Sequence, residues 1–312
     1  MNLESIDVFG LGASTMDIIT LVDHFPKGKE VQQALDMVIQ GGGPIATAMV
    51  TLARLGARAG MIDVVGDDWR GALIREEFQR EGVDIGHIQV SQGCVSSTSS
   101  ILVTKGDGAR AIMYSPGSAS EVSLTSAHKA AIESAKFLHV NGRHWEACLQ
   151  AVRWAREAGV RVSFDGGADR YRPALRELVP MTDICITARD FAEKYTGEAE
   201  LPKAAELIEK SGPSLVVITD GKGGSYVHSR DGKAFHQPAY LFPEVVDTTG
   251  CGDSYHGAFL FGLLRGYGLE QTASLASAVA ALNSQRLGGR TGLPTHDEVE
   301  SFLIRDARRT SP

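Results

Sequence analysis

The sequence predicts an α/β fold: a doubly wound, mostly parallel sheet with helices on both faces and a small β lid. Three observations lead there. Short apolar runs alternate with stretches of helical periodicity through most of the chain, which implies right-handed crossovers and ligands at the carboxyl ends of the strands. With 312 residues, 43% of them hydrophobic, the chain can bury a large core as a single domain spanning 1–312. Two β-rich segments, 18–40 and 95–114, interrupt the alternation and are expected to form a lid over the ligand cleft, the alternative being an extended sheet edge.

Taken in order, residues 6–9 and 61–65 read as buried strands. Between them a helix begins at Pro44 and ends before Gly56. Thr47, Thr51 and Arg54 make its polar stripe, while Met49, Val50, Leu52 and Leu55 bury the rest of the circumference. Leu73, Ile74 and Phe78 form the apolar stripe of a second helix, closed by Gly82. In the second lid segment, β-rich runs flank Lys105-Gly106-Asp107-Gly108, so a hairpin is expected. Strand 137–140 leads into a helix carrying Trp145, Cys148, Leu149, Val152 and Ala155, which Gly159 stops. Strands 160–164, 184–187 and 215–219 then alternate with helices near 203–210, 253–265, 270–286 and 296–305.

Composition excludes some functions. Thirty-one basic against 38 acidic residues leave a net charge of −7, with no cationic excess for a phosphate backbone or an anionic bilayer, so neither nucleic acid nor membrane is an expected partner. Residues 1–7 lack the basic start and apolar core of a secretion signal, and no apolar run reaches about 18 residues; a cytoplasmic protein is expected. Cys94, Cys148, Cys185 and Cys251 are scattered, which predicts neither a disulfide nor a zinc site.

The chemistry concentrates in Asp247-Thr248-Thr249-Gly250-Cys251-Gly252-Asp253, followed by an apolar helical run. Glycines at a helix entrance leave backbone N–H groups unpaired and open to an anion, which the helix dipole also favours. A carboxylate beside that hole repels phosphate, so Asp253 makes sense as the acceptor of a proton from a hydroxyl attacking the phosphorus. The bland alternative is a glycine-rich turn with Asp253 as a helix cap. Other phosphate motifs fail. Gly10-Leu11-Gly12-Ala13-Ser14-Thr15 lacks the third glycine of a dinucleotide fingerprint, and neither Gly28-Lys29 nor Gly221-Lys222 lies in a Walker loop.

Together these segments resemble the ribokinase-like, or PfkB, carbohydrate kinases. The resemblance rests on Gly10-Leu11-Gly12 with Asp17, Gly41-Gly42-Gly43-Pro44 through Leu55-Gly56, Gly66-Asp67-Asp68 with Gly71, Thr219-Asp220-Gly221 with Gly224, and Asp247 to Asp253. It implies an ATP-dependent sugar kinase using Mg2+, and possible use of a monovalent cation near Asp247 and Thr249. Asp253 would be the general base, with Gly250, Cys251 and Gly252 as the anion hole. Asp17, Gly42 and Gly43 would hold the sugar. Thr219, Gly221, Gly224, Thr249 and Asn283 would lie on the nucleotide side. A homodimer through the lid is also implied.

The chain departs from the family in places. Ala46 stands where many relatives have a sugar-binding Asn, and Thr187-Ala188-Arg189-Asp190 replaces an Asn-Xaa-Xaa-Glu pattern tied to magnesium. Asp190 either substitutes through water or caps a helix. Cys251 replaces an alanine, as a small packing residue or an activated thiol. His256 either orients Asp253, touches substrate or packs.

A narrower resemblance, carried by Ala46-Thr47-Ala48, His256-Gly257-Ala258 and Gly288-Gly289-Arg290 with Gly292 and Pro294, is to the sulfofructose kinases. These phosphorylate the carbon-1 hydroxyl of 6-deoxy-6-sulfofructose. A sulfonate calls for fixed cations, and Lys29 and Arg143 are the candidates. Fructokinase, ketodeoxygluconate kinase and nucleoside kinase are the alternatives within the family; outside catalysis the alternative is a sugar-sensing protein.

Overall fold

The computed structural model describes residues 5–106 and 108–310. Its main sheet has nine strands in the order β13-β12-β11-β10-β9-β8-β1-β4-β5. They are β1 (Val8–Leu11), β4 (Ala59–Gly66), β5 (Asp84–Ser91), β8 (Phe137–Val140), β9 (Arg161–Gly166), β10 (Ile184–Ala188), β11 (Leu215–Thr219), β12 (Ser225–Ser229) and β13 (Ala234–Gln237). From β11 to β5 all neighbours pair in parallel, and β12 and β13 add an antiparallel edge. Strand order reverses between β1 and β8, where an open α/β sheet leaves its ligand crevice.

Alternation along the strands sorts side chains onto two faces. Ile184, Ile186 and Val217 join one core cluster, with the buried faces of α1 (Pro44–Arg54), α8 (Cys251–Leu264) and α9 (Leu269–Asn283). Cys185, Val216 and Ile218 join the other, with α4 (Trp145–Glu157), α6 (Arg189–Thr196) and α7 (Leu201–Ser211). Helices thus cover both faces, as the alternating pattern predicted. The remaining helices are α2 (Trp69–Arg80), α3 (Ser126–Ser134), the single turn α5 (Leu175–Leu178) and α10 (His296–Thr310).

The second sheet has the order β3-β2-β6-β7, made of β2 (Thr15–Val22), β3 (Asp36–Gly42), β6 (Thr98–Thr104) and β7 (Arg110–Ser115). The expected hairpin is β6–β7, with Ile101 opposite Ile112; Asp107 in its turn, like the first four residues, lies outside the described residues. Ile19, Ile101 and Val103 pack with Leu287 under one face of this sheet. No helix among the described residues is long and apolar enough to cross a membrane.

Several local readings need correction. Strand β1 starts at Val8 rather than residue 6, because residues 6 and 7 precede the parallel register with β4. Leu73 is exposed, since α2 turns only Gly71, Ile74, Glu77 and Phe78 inward. The polar stripe of α1 is not solvated: Thr47 and Thr51 are buried. The Thr51 hydroxyl donates back to Thr47 O at 2.8 Å, and the Thr47 hydroxyl accepts from Arg290 Nε at 3.1 Å. Helix α9 ends at Asn283, three residues early, where the chain turns into the segment leading to Gly288.

Candidate active site

The glycines of the sequence motif do their work by letting backbone approach backbone. At Gly43, with φ of +93°, a Cβ would collide with Ala13 O, and at Gly42 it would overlap the Asp17 carboxylate. The diglycine therefore closes β3 against the loop after β1, and Asp17 lies directly beneath it. Asp17 is buried and accepts a hydrogen bond from Thr15 Oγ1 at 2.6 Å. Burial raises its pKa; Thr15, Arg290 and Ser99 oppose that rise, and the charge of Asp253 adds to it. The two acids therefore lie within electrostatic reach of each other.

Register places the rest of the lid's inner row. Asp17 is opposite Gln40 on one side and Ser99 on the other, and Ser99 is opposite Tyr114, so Asp17, Ser99 and Tyr114 share the face that also carries Ile19 and Ile101. From the main sheet, Arg143 reaches this row: its Nη2 donates to Tyr114 Oη at 2.9 Å, and its guanidinium lies 5.8 Å from the ring centroid. Lys29 sits in the exposed loop between β2 and β3, with no hydrogen bond or ion pair among the described residues, so the structure does not bring it to the other candidates.

Helix α8 begins at Cys251, with Gly250 at φ of +71° as its N-cap. A Cβ on Gly250 would collide with Gly289 O, whereas one on Gly252 would meet nothing within 4 Å. The N–H groups of Gly252 and Asp253 have no hydrogen-bond partner among the described residues. Open space above unpaired amides at the start of a fourteen-residue helix is the cradle that a nucleotide phosphate requires. The loop is braced from below. Asp247, wholly buried, accepts from Thr249 N at 2.7 Å and Gly288 N at 2.9 Å. Asn283, also wholly buried, donates to Gly289 O at 2.9 Å and Thr249 O at 3.5 Å. Asn283 thus ties two loops together rather than facing the cleft, and both Asp247 oxygens already serve backbone donors.

Asp253 stands in the first turn of α8. Burial raises its pKa, as does the nearby Asp165, while Arg170, His256 and Arg110 pull it down. Arg110 comes from the lid, and its Nη1 donates to Thr248 Oγ1 at 2.7 Å, fastening β7 onto the phosphate-side loop. The Cys251 thiol is pushed up to about 12, chiefly by burial, the opposite of an activated thiol.

On the far side, Thr219 Oγ1 donates to Thr187 O at 3.3 Å. Gly221 lies at φ of +53° with free space around it, while Gly224 at +88° is pressed on Gln237 O. Asp190 accepts from Asp169 N at 2.8 Å and pairs with Lys194 at 3.4 Å, in the first turn of α6.

Three residues of the site escaped the sequence reading: Asp165, Arg170 and Arg110. Asp165 had a usable signal, an acid next to a diglycine at the carboxyl end of a parallel strand. Arg110 had none, since its partner is 138 positions away.

Comparison with known proteins places this geometry. Residues 5–296 match the model of the pfkB family carbohydrate kinases. The ATP-dependent ribose-1-phosphate kinase of Halopiger xanaduensis is 28% identical, over 96% of this chain and 98% of its own length. A putative ribokinase from Agrobacterium tumefaciens superposes with a TM-score of 0.88 at 24% identity, covering 97% of this chain and 99% of that one. A putative ribokinase II from E. coli, solved in complex with ATP and Mg2+, gives 0.82 at 23%, over 96% and 99%.

Proposed function

Because the chain belongs to the pfkB family of carbohydrate kinases, and so is an ATP- and Mg2+-dependent sugar or nucleoside kinase, we propose that its acceptor is an anionic ketohexose, 6-deoxy-6-sulfofructose, phosphorylated on the carbon-1 hydroxyl. The observation that carries the chemistry is Asp253 beside the unpaired amides of α8. The sugar hydroxyl gives its proton to Asp253 as its oxygen attacks the γ-phosphorus, and the bond from that phosphorus to the β–γ bridging oxygen breaks, with ADP leaving. Of the expected Gly250-Cys251-Gly252 donors, the Cys251 amide is bonded to Thr248 O, and the open amides of Gly252 and Asp253 supply donors where negative charge develops. A raised carboxylate pKa suits this role, because a base works best when its pKa approaches the working pH. Mg2+ would neutralise phosphate charge when the nucleotide is bound, and Asp190 is the residue that would hold it through water.

For the acceptor, Asp17 and the Gly42–Gly43 turn supply hydroxyl partners. Arg143, held in place by Tyr114, supplies a fixed cation at the junction of lid and main sheet. Ala46 is fully buried in α1, so the sugar contact that an Asn would make there has no counterpart, which favours an acceptor other than ribose. Ribose 1-phosphate, named for the Halopiger relative, is likewise an anionic sugar.

A panel of sulfofructose, fructose, ketodeoxygluconate, ribose and nucleosides tests the reading. Sulfofructose is expected to give the highest kcat/KM. Arg143→Met should lower that value about 10–100-fold, the equivalent of a charge-assisted hydrogen bond of about 1.5–3 kcal/mol, and leave fructose nearly unchanged. No transfer to sulfofructose, or an equal loss for both sugars, removes the anionic-acceptor reading.

The lid also supports the homodimer. Met37, Ile39 and Met113 are each more than half exposed. Ile39 and Met113 lie in one row across its outer face, through Ile18 and Ser100. Such a patch on a sheet marks a protein contact. Sedimentation should report a dimer for the wild type and a monomer for Ile39→Glu; a wild-type monomer refutes the assignment.

A further inference from the structure

Beneath Asp253 lies a polar island that phosphoryl transfer does not explain. Strands β8 and β9 pair in parallel with His139 opposite Ser163. Their neighbours Leu138, Val140, Val162 and Phe164 all point into the opposite core cluster. His139, Ser163 and Asp165 therefore face α8, and there they meet His256, one turn beyond Asp253. These side chains are buried within an otherwise apolar layer: His139 is 0% exposed, Asp165 2% and His256 3%.

Burial of this kind demands partners, and most are missing. Both Asp165 oxygens, His139 Nε2 and His256 Nδ1 have no hydrogen bond. Each orphan forfeits the hydrogen bonds that water would give it, and a charged one forfeits more. Arg170 offsets only part of this, lying 3.5 Å from Asp165 Oδ2. Asp165 Oδ1 instead faces His256 Nε2 at 3.9 Å.

We propose that His139, Asp165 and His256 form a binding site for one divalent first-row transition ion of the zinc type, separate from the Mg2+ that accompanies ATP. The three residues bring ligand atoms within 4.8 Å of one another. In the four-coordinate tetrahedral geometry that zinc takes, bonds of about 2.0–2.2 Å hold ligand atoms about 3.3–3.6 Å apart, so the three side chains must close in by up to about 1.5 Å when the ion binds. Two imidazoles and one carboxylate select zinc, manganese, iron, cobalt or nickel over magnesium and calcium, which prefer oxygen alone. The supporting shell is present: His139 Nδ1 lies 3.1 Å from Ser163 Oγ. With Nδ1–H donating to that hydroxyl, the lone pair on Nε2 faces the cluster. Burial pushes His139 down to about 3 and His256 down to about 4, so both rings are neutral donors at pH 7. No cysteine takes part, which is why cysteine spacing carried no sign of the site.

The test uses the full-length chain, stripped with chelator and free of nucleotide, sugar and magnesium, so that its outcome does not depend on the kinase reading. Calorimetric titration with zinc chloride should show one tight ion per chain, and cobalt chloride should give visible absorption bands of a nitrogen- and oxygen-ligated ion. The His139→Gln/His256→Gln variant should lose the tight ion. Ser163→Ala keeps every ligand and should weaken binding about 10–100-fold, which decides the matter if the glutamine variant does not fold. No stoichiometric zinc binding by the wild type overturns the site, as does unchanged affinity in the double variant or in Ser163→Ala.

Discussion

Replacing Asp253 by Asn is expected to lower kcat about 10²–10⁴-fold on the best sugar, the range that one positioned general base supplies. ATP affinity should stay equal or tighten. Asn keeps the volume of the side chain and the open N-terminus of α8, so the amides of Gly252 and residue 253 still receive the phosphate. What disappears is the negative charge beside it, and with it the proton acceptor. Residual turnover should persist, because positioning and the amides act without a base. The measurement is steady-state kinetics with ATP and sugar varied separately. Turnover near the wild-type value removes Asp253 from the role of base.

The second large effect is on stability, and it comes from Arg290. Its side chain is 3% exposed and serves three elements at once. Nη1 pairs with Glu77 Oε1 at 3.0 Å, Nη2 donates to Gly42 O at 2.9 Å, and Nε donates to Thr47 Oγ1 at 3.1 Å. Glu77 Oε2 in turn accepts from Gly41 N. One ion pair thus clamps the diglycine of β3, helix α1 and helix α2. Removing one member of a buried pair strands the other, which costs about 3–5 kcal/mol. With an unfolding entropy of about 2.1 cal/mol/K per residue, Arg290→Met should lower Tm by about 5–8 °C. Adding Glu77→Gln should restore part of the loss, since the stranded charge is then gone. A fall in Tm below about 2 °C, or simple additivity in the double variant, contradicts the clamp.

The same residues show what a sequence can tell and where it stops. Periodicity found the parallel strands, the helices on both faces and the lid hairpin, because apolar burial leaves a local signature of period 2 or 3.6. Gly42, Gly43 and Gly250 were legible for a related reason: each occupies a place where a Cβ cannot fit. Long-range polar pairing left no such trace. Thr47 and Thr51 read as the polar stripe of α1, and nothing local showed that Thr47 is covered by an arginine 243 positions away. Asp165, His139 and His256 lie on three separate elements, and the register of β8 with β9 together with the packing of α8 on them puts them together. Asn283 was expected beside the nucleotide, but the early end of α9 turns it inward as a brace. Antiparallel β12 and β13 follow a strand rather than a helix, so the alternation rule could not supply them.

The central claim is that a half-buried carboxylate at the head of α8 removes the proton from the acceptor hydroxyl. The pH dependence of kcat/KM tests it most directly. A base must be ionised to act, so activity should rise with pH through the pKa of Asp253. Burial and the neighbouring Asp165 lift that pKa above the ordinary carboxylate value of 3.8. The wild type should therefore show an acid limb whose midpoint lies above that value, and Asp253→Asn should lose the limb while keeping its low residual rate. An identical acid limb in both proteins would contradict the account.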